Sequence, residues 1–245
     1  MLDIKVLPAG CVERRQQNAC DTCGARQFSV CGALDTTDLG RLNALADRLS
    51  LKPGEPLVRQ GDTADHLFNI TSGSVRVYRL LSDGRRQITG FLFAGDFLGL
   101  AAGETYAFAA EAIEPTTVCR FRRAEYRAVI RESPDLEAAL FDRVTHELEA
   151  AGEQMLLLGR KTAQERIASF LLDLPAHDPC RPGPKDHVRL PMTRAEIADY
   201  LGLTIETVSR VLTRLKTTGV IRLLDLHELR IEAPDRLRAI AEGEA

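Results

Sequence analysis

Short β-prone runs separated by glycines occupy the stretch from Leu51 to Phe121, and this feature limits the fold more than any other. The glycines recur at intervals of about ten residues, at Gly54, Gly61, Gly73, Gly84 and Gly95. The runs between them are Leu67–Ile70, Ser74–Leu80, Gln87–Phe93 and Thr116–Phe121. Ser82-Asp83-Gly84 is typical of a hairpin turn, because glycine adopts positive φ at low cost. Evenly spaced short strands with turn residues between them predict an antiparallel β-roll or barrel.

The composition excludes a membrane protein. The chain has 245 residues, of which 44% are hydrophobic and 27% charged, and its formal net charge is -3. No stretch approaches the roughly 18 uninterrupted apolar residues of a membrane helix, since the richest, Phe91–Ala102, is interrupted by Asp96. Met1–Arg15 lacks the continuous apolar core of about 7–15 residues found in a signal peptide, so we expect a cytoplasmic protein.

A long helical pattern follows Ser133-Pro134 and continues to about Leu158. Its apolar residues recur every three or four positions, as in the seam of a two-stranded coiled coil. This pattern predicts either a helix packed on its own β domain or an interface between two subunits. We expect a homodimer with these interface residues: Leu140, Val144, Leu148, Ala151, Met155 and Leu158. A β-roll next to long helices places the chain in the α+β class.

Two short helices joined by a tight turn are predicted near the C-terminus. Thr193-Arg-Ala-Glu196 is a capping box that begins the first helix, which ends at Gly202. Thr204 caps a second helix that extends to about Thr217. This arrangement is a helix-turn-helix pattern, and the apolar runs at 220–221 and 229–231 predict a β wing after it.

The outward face of the second helix has the chemistry of a DNA reader. Glu206, Ser209 and Arg210 stand at i, i+3 and i+4 and so form one patch. Arginine can bond guanine bidentately, glutamate can accept from cytosine N4, and serine adapts to several bases. The residues expected to contact phosphates are Arg194, Thr204, Arg214 and Lys216. The alternative is a small helical hairpin with a solvated charged face.

Six cysteines form an unusual group for a chain of this size: Cys11, Cys20, Cys23, Cys31, Cys119 and Cys180. Cys20-x-x-Cys23, then Cys31 after seven residues, and the distant Cys119 could supply four thiolates to one centre. Spacing alone does not separate zinc, an iron–sulfur cluster and unliganded thiols, because zinc and iron–sulfur clusters both accept four cysteines.

Signatures of catalysis are missing from the sequence. There is no phosphate-cradling glycine loop, no pair of carboxylates on a helical face and no nucleophile motif. The histidines are scattered along the chain, at His66, His146, His177, His187 and His227. We therefore expect no enzymatic activity.

The segment Met192–Leu212 resembles the helix-turn-helix of the CRP/FNR family of bacterial transcription regulators. The resemblance extends over nearly the whole chain, since Gln87–Phe91, Ala94–Asp96 and Lys161–Arg166 are also similar to that family. It implies four parts, which are a cysteine-rich segment (1–34), a β-roll sensor similar to cyclic-nucleotide-binding domains (35–132), a dimerisation helix (133–159) and a winged helix-turn-helix (160–245).

The exposed Glu206-x-x-Ser209-Arg210 resembles the reader of the FNR and FixK branches of this family. That resemblance implies an activator that binds a TTGAT-like inverted repeat, with RNA polymerase as a partner at the turn of Asp83-Gly84. In the FNR type, three N-terminal cysteines and one in the β-roll hold an oxygen-labile 4Fe–4S cluster. The matching ligands are Cys20, Cys23, Cys31 and Cys119.

Two departures from family patterns bear on the cofactor. The gap of seven residues before Cys31 is longer than the five of the enteric FNR proteins, so zinc and a FixK-like regulator without a cluster or oxygen sensing stay as alternatives. Gly103-Glu104 resembles part of a cyclic-nucleotide site, but the stretch Thr105–Glu111 contains no arginine to hold a phosphate. We expect no cyclic nucleotide as effector.

Overall fold

The computed structural model describes residues 20–100, 103–178, 180, 184 and 186–244. The helices are α1 (Thr36–Leu45), α2 (Arg123–Glu132), α3 (Pro134–Arg160), α4 (Ala163–His177), α5 (Arg194–Leu201), α6 (Ile205–Thr217) and α7 (Pro234–Glu242). Short 3-10 turns cover Arg26–Phe28 and Val30–Ala33. The strands are β1 (Asp47–Leu51), β2 (Pro56–Val58), β3 (His66–Ser72), β4 (Ser74–Leu80), β5 (Arg86–Phe93), β6 (Phe97–Leu98), β7 (Ala109–Ala112), β8 (Thr116–Arg122), β9 (His187–Arg189), β10 (Ile221–Leu223) and β11 (Glu228–Ile231).

The first eight strands form the β-roll that the glycine spacing predicts, so the predicted α+β class is confirmed. One four-stranded sheet has the order β1-β8-β3-β6 and the other has the order β2-β7-β4-β5, with antiparallel pairing throughout. Inward-facing residues of both sheets, among them Ile70, Val75 and Val118, are buried in one cluster between the sheets. Gly73 is the only residue between β3 and β4, and its φ of +80° turns the chain from one sheet into the other.

The long helix α3 extends over 27 residues. Its start is determined locally, because the Ser133 hydroxyl accepts from the backbone N–H of Leu136 and Pro134 occupies the first turn. Leu136 and Leu140 pack into the core between α1, α2 and the β-roll, whereas Leu157 packs with the C-terminal domain. The helix therefore joins the two halves of the molecule. None of the helices in the described ranges is long and apolar enough to cross a membrane.

The C-terminal domain is a winged helix-turn-helix. Both residues of the predicted capping box act as expected, since the Thr193 hydroxyl accepts from the Glu196 backbone N–H and the Glu196 carboxylate accepts from that of Thr193. Gly202 ends α5 in the left-handed conformation. The wing is a three-stranded sheet of order β10-β11-β9.

The C-terminal domain packs directly on the β-roll. Ile88, Phe91 and Phe93 of β5 share one apolar core with buried residues of α4, α5 and α6. Two rings, Phe170 of α4 and Tyr200 of α5, lie against Phe91 with centroids 6.2 and 5.2 Å away. The β-roll and the helix-turn-helix are thus joined by a continuous hydrophobic core.

The turn at Gly73 generates a stability prediction. A Cβ atom there would lie 2.5 Å from the Pro115 carbonyl oxygen and 2.7 Å from the Thr116 Cα, both in backbone that cannot move aside. We expect Gly73→Ala to lower the free energy of unfolding by about 3 kcal/mol, as positive φ and overpacking add. Urea unfolding followed by circular dichroism measures this change.

Gly84→Ala is the matched control. Gly84 has nearly the same φ of +84°, but a Cβ there meets no atom within 4 Å. We expect Gly84→Ala to lower the free energy of unfolding by only about 1 kcal/mol, because the backbone conformation is its one unfavourable effect. Equal losses in the two variants would contradict the steric argument.

Candidate nucleic-acid interface and thiol cluster

Helix α6 buries one face and presents the other to solvent. Val208, Val211, Leu212 and Leu215 pack into the core of the winged domain. The side chains of Glu206 and Arg210 are exposed and that of Ser209 is half-buried, so the predicted patch is accessible. The spacing of core residues along the helix therefore determines which residues face outward.

The first turn of α6 keeps Glu206 ionised. The Thr204 hydroxyl caps the helix by accepting from the backbone N–H of Thr207, 3.3 Å away. The backbone N–H of Glu206 itself and the Thr204 side chain both lower the pKa of the Glu206 carboxyl below its usual range. At neutral pH this carboxylate is an acceptor, which suits the amino group of cytosine.

The expected phosphate contacts lie at both ends of the helix-turn-helix. Arg194 is half-buried in the first turn of α5, and the exposed Thr204 stands just before α6. Arg214 and Lys216 are exposed in the last turn of α6. These positions flank the patch of Glu206 and Arg210, as phosphate contacts on either side of a groove do.

The exposed stripe of α3 differs in part from the predicted seam. Val144, Leu148, Ala151 and Met155 face solvent, and Leu148 and Met155 are more than 70% exposed. Leu140 does not lie on this face. Leu140 is only 6% exposed and packs in the protein's own core. At this residue the alternative prediction holds, in which the helix packs on its own β domain.

Phe141 takes the place expected for Leu140. It is 72% exposed and continues the stripe one turn before Val144. Leu158, at the other end, is half-buried against the C-terminal domain. Sequence reasoning missed Phe141, although its spacing of seven residues from Leu148 was the available signal.

The four predicted cysteine ligands are drawn together from two distant stretches. Cys20, Cys23 and Cys31 lie on the segment before α1, and Cys119 lies in β8 opposite Asn69 of β3. All four are free thiols. The Asn69 amide donates to the Cys31 sulfur at 3.7 Å, so Cys31 and Cys119 meet at the same point of the sheet.

Burial raises the pKa of three of these thiols. Desolvation raises the pKa of Cys31 to about 11 and that of Cys119 to about 12. The pKa of Cys20 is raised as well, by burial against the opposing effect of Arg48. Cys20, Cys23 and Cys31 each add to the rise of the Cys119 pKa, and Cys20, Cys31 and Cys119 border the same apolar cluster.

The thiols are not gathered tightly enough for one ion. Among the described residues, no three His, Cys, Asp or Glu side chains are placed to hold a single metal ion. Tetrahedral zinc needs four sulfurs about 2.3 Å from one point. A 4Fe–4S cluster takes one cysteine on each iron and therefore accepts sulfurs that are farther apart.

Two buried polar groups beside the thiols fit a site that holds anionic sulfur. Tyr126 is fully buried, and its hydroxyl has no hydrogen-bond partner among the described residues. Burial and, to a smaller extent, Cys31 raise the pKa of Tyr126, so the phenol stays protonated and able to donate. Tyr126 and Cys31 border the same apolar cluster. The Asn69 NH2 group donates to the Cys31 sulfur and could do the same for a thiolate. Buried donors of this kind normally find an acceptor.

Some of the remaining sequence features can also be located. Gly103 and Glu104 are exposed. Cys11 and most of the predicted 1–34 segment lie outside the described residues, and Cys180 is half-buried with its sulfur 3.9 Å from the Gly24 carbonyl oxygen. The histidines that the structure describes do not converge on a metal site.

Known proteins resemble the chain over both halves. Residues 165–240 match the Crp-like helix-turn-helix domain, and residues 48–133 match the cyclic nucleotide-binding domain. The nitrogen fixation regulation protein FixK of Bradyrhizobium diazoefficiens is 40% identical over 222 residues, which are 91% of this chain and 93% of that protein. The transcriptional activator protein FnrL of Cereibacter sphaeroides is 37% identical, over 83% of this chain and 84% of that protein.

A solved structure supports the same relationship. FixK2 from Bradyrhizobium japonicum superposes with a TM-score of 0.74 at 37% identity, covering 80% of this chain and 96% of that one. These relatives are regulators and not enzymes, in agreement with the lack of catalytic motifs. From the sequence identity, the β-roll and the winged helix-turn-helix, the chain belongs to the CRP/FNR family of DNA-binding transcription regulators.

Proposed function

We propose that the protein is an oxygen-responsive activator that binds DNA as a homodimer when Cys20, Cys23, Cys31 and Cys119 hold a 4Fe–4S cluster. The observation that carries the proposal is that free thiols from two distant stretches, Cys20, Cys31 and Cys119, border one apolar cluster, with Cys23 three residues from Cys20. The likeness to the transcriptional activator protein FnrL over most of the chain supports the activator part of the proposal. The proposed place of action is the cytoplasm.

The proposed DNA target is a TTGAT-like inverted repeat. Glu206, Ser209 and Arg210 are the proposed base readers, and Arg194, Thr204, Arg214 and Lys216 the proposed phosphate contacts. One short helix reads few base pairs, so two copies of α6 about 34 Å apart are needed for a specific site. The exposed stripe from Phe141 to Met155 is the proposed dimer surface.

The thiol segment is placed to influence the dimer helix. The turn of Val30–Ala33, which carries Cys31, packs on α3. Leu136 and Leu140 of α3 share their core with Cys119 and partly buried Cys20 and Cys31. When bound, the cluster supplies a centre that oxygen destroys. Packing of the thiol segment on α3 would then differ between protein with an intact cluster and protein that has lost it. The dimerisation equilibrium would shift only by the difference in free energy that the cluster makes between monomer and dimer.

RNA polymerase is the proposed protein partner. The turn of Asp83-Gly84 protrudes from the β-roll, with Asp83 and Arg85 exposed and paired to each other at 2.8 Å. A contact between this turn and RNA polymerase would let the DNA-bound protein act as an activator.

A regulator of the same fold without a cluster is the second candidate. FixK of Bradyrhizobium diazoefficiens is at least as similar to the chain as FnrL. Two of the thiols also have partners within the protein, because the Cys20 sulfur lies 3.3 Å from the Asn43 side-chain oxygen and Cys31 accepts from Asn69. In this case activity would follow the amount of protein and not oxygen.

Purification without air distinguishes the two candidates. We expect a brown protein with iron and sulfide each near four per chain, and loss of the visible absorbance after a measured oxygen pulse. Cys119→Ser should abolish the colour because it removes the ligand from the β-roll. Cys11→Ser is the matched control and should keep it. Colourless wild-type protein, or protein with one zinc, would rule out the oxygen sensor and leave the second candidate.

Arg210→Ala tests the proposed docking. Loss of the bidentate bond to guanine should weaken binding to the preferred site by about 1–3 kcal/mol and relax the choice at one base pair. Lys216→Ala is the comparison, since losing a phosphate contact should weaken all sequences similarly and lower the salt slope by about one. Fluorescence anisotropy with single-base variants of the site measures both. An unchanged sequence preference in Arg210→Ala would count against this docking.

Leu148→Glu tests the dimer surface. Two glutamates facing each other in an apolar seam should raise the dimer dissociation constant about tenfold or more. Leu148→Met keeps the apolar contact and should leave dimerisation nearly unchanged. Sedimentation equilibrium of the protein in its DNA-binding state gives the constant. Wild-type dimerisation of Leu148→Glu would place the interface on another surface.

A further inference from the structure

Arg76 of β4 joins the β-roll to the first helix of the helix-turn-helix. Its guanidinium pairs with Glu111 of β7 and, at 2.5 Å, with Glu196 of α5. Both pairs are largely buried, and Glu196 is only 4% exposed. Removing the arginine would leave two carboxylates together in a desolvated place. This would strongly disfavour the docked arrangement, in which the winged domain packs on the β-roll.

Glu196 has a second role that makes this contact rigid. Its other carboxylate oxygen accepts from the Thr193 backbone N–H at 2.7 Å and from the Thr193 hydroxyl at 2.8 Å. Glu196 therefore both caps the start of α5 and binds Arg76. The first turn of the helix-turn-helix is thus held by a side chain of the β-roll.

A second group of contacts holds the other end of α5. Arg86 of β5 donates two hydrogen bonds to one carboxylate oxygen of Asp199, at 2.9 and 2.7 Å. Gln87 donates to the Asp199 carbonyl oxygen at 2.6 Å, and Gln154 of α3 donates to that of Tyr200 at 3.2 Å. Both ends of α5 are therefore attached to the sensor half of the molecule.

A third ion pair lies at the wing. Arg189 of β9 binds both carboxylate oxygens of Glu114 at 2.7 and 2.8 Å, and the Ser74 hydroxyl donates to the same carboxylate. Glu114 stands in the turn between β7 and β8. Three ion pairs spread over the interface oppose rotation of the winged domain more effectively than an apolar contact, which has no direction.

The reading face stays accessible in this docked arrangement. The core shared with the β-roll includes only the buried face of α6, whereas Glu206 and Arg210 on its other face are exposed. Only Lys161 and Thr162 connect α3 to α4. A two-residue connection with no other restraint would leave the direction of α6 undefined.

We propose that β4 and β5 set the orientation of the helix-turn-helix in the DNA-binding form, with Arg76 and Arg86 as positioning residues. Neither residue needs to touch DNA. Two reading helices must stand about 34 Å apart in the same orientation to fit successive turns of the duplex. Fixing each helix on its own β-roll removes the conformational freedom that binding would otherwise have to restrict. This proposal does not depend on whether the thiols hold a cluster.

A charge exchange at Arg86 and Asp199 tests the proposal in the full chain. This pair is partly exposed, with about a third of each side chain accessible, so reversal should not prevent folding. The variants are Arg86→Glu, Asp199→Arg and the double exchange. Arg85→Glu is the matched control, because Arg85 lies next to Arg86 but, among the described residues, forms its ion pair with Asp83 at the exposed turn. Thermal unfolding is recorded for each protein.

Each protein is titrated onto an inverted-repeat duplex that the wild type selects from a random library. Duplexes with the half-sites one base pair closer together or farther apart are titrated in parallel. We expect each single reversal to weaken binding about tenfold or more and to reduce the discrimination between spacings. The double exchange should return to within about threefold of wild type, and Arg85→Glu should bind as wild type. A destabilised domain would not regain its choice of spacing through a second reversal.

Three results would overturn the proposal. Single reversals that bind as tightly as wild type would show that the contacts do not matter for DNA binding. Single reversals that bind more tightly would make the docked arrangement an inhibited one. A double exchange that fails to recover, or a similar loss in Arg85→Glu, would assign the effect to charge in general and not to this pair.

Discussion

The packing of β5 on the C-terminal helices is the contact on which the rest of the structure depends. Ile88, Phe91 and Phe93 of the β-roll belong to the core of the winged domain, so that core is completed by the β-roll. Apolar burial supplies the strength of this contact, and the ion pairs of Arg76, Arg86 and Arg189 supply its direction. The β-roll and the winged helix-turn-helix move as one body as long as both kinds of contact persist.

The thiol region shows a different balance. Burial disfavours the charged form of Cys31 and Cys119, so these sulfurs stay protonated unless something positive compensates them. Metal binding must displace those protons and therefore couples to the local structure. The buried Tyr126 hydroxyl has no hydrogen-bond partner among the described residues, whereas buried donors normally find one.

Local signals made the helix-turn-helix predictable. Thr193, Glu196 and Gly202 act within a few residues of one another, and their roles follow from capping and turn geometry alone. The β-roll was predictable for the same reason, from the spacing of its turn glycines. The site residues on α6 followed once the buried face of the helix was known from its period.

Contacts between distant parts of the chain were not predictable in this way. The period of α3 fits both a stripe through Leu140 and one through Phe141, and only the position of the β-roll decides which of them is buried. The capping box identifies Glu196 but not its bond to Arg76, which is 120 residues away. Likewise, cysteine spacing predicts that the thiols meet but says nothing of Tyr126 beside them.

The two glycines inside α3 have a consequence for assembly. Gly152 and Gly159 lie in the second half of the helix, where they each cost about 1 kcal/mol relative to alanine. That half also exposes Leu148, Met155 and Leu156 to water. A second subunit that covered this apolar side would stabilise the part of the helix that the glycines weaken most. Association would then also protect the backbone hydrogen bonds of this stretch from local opening.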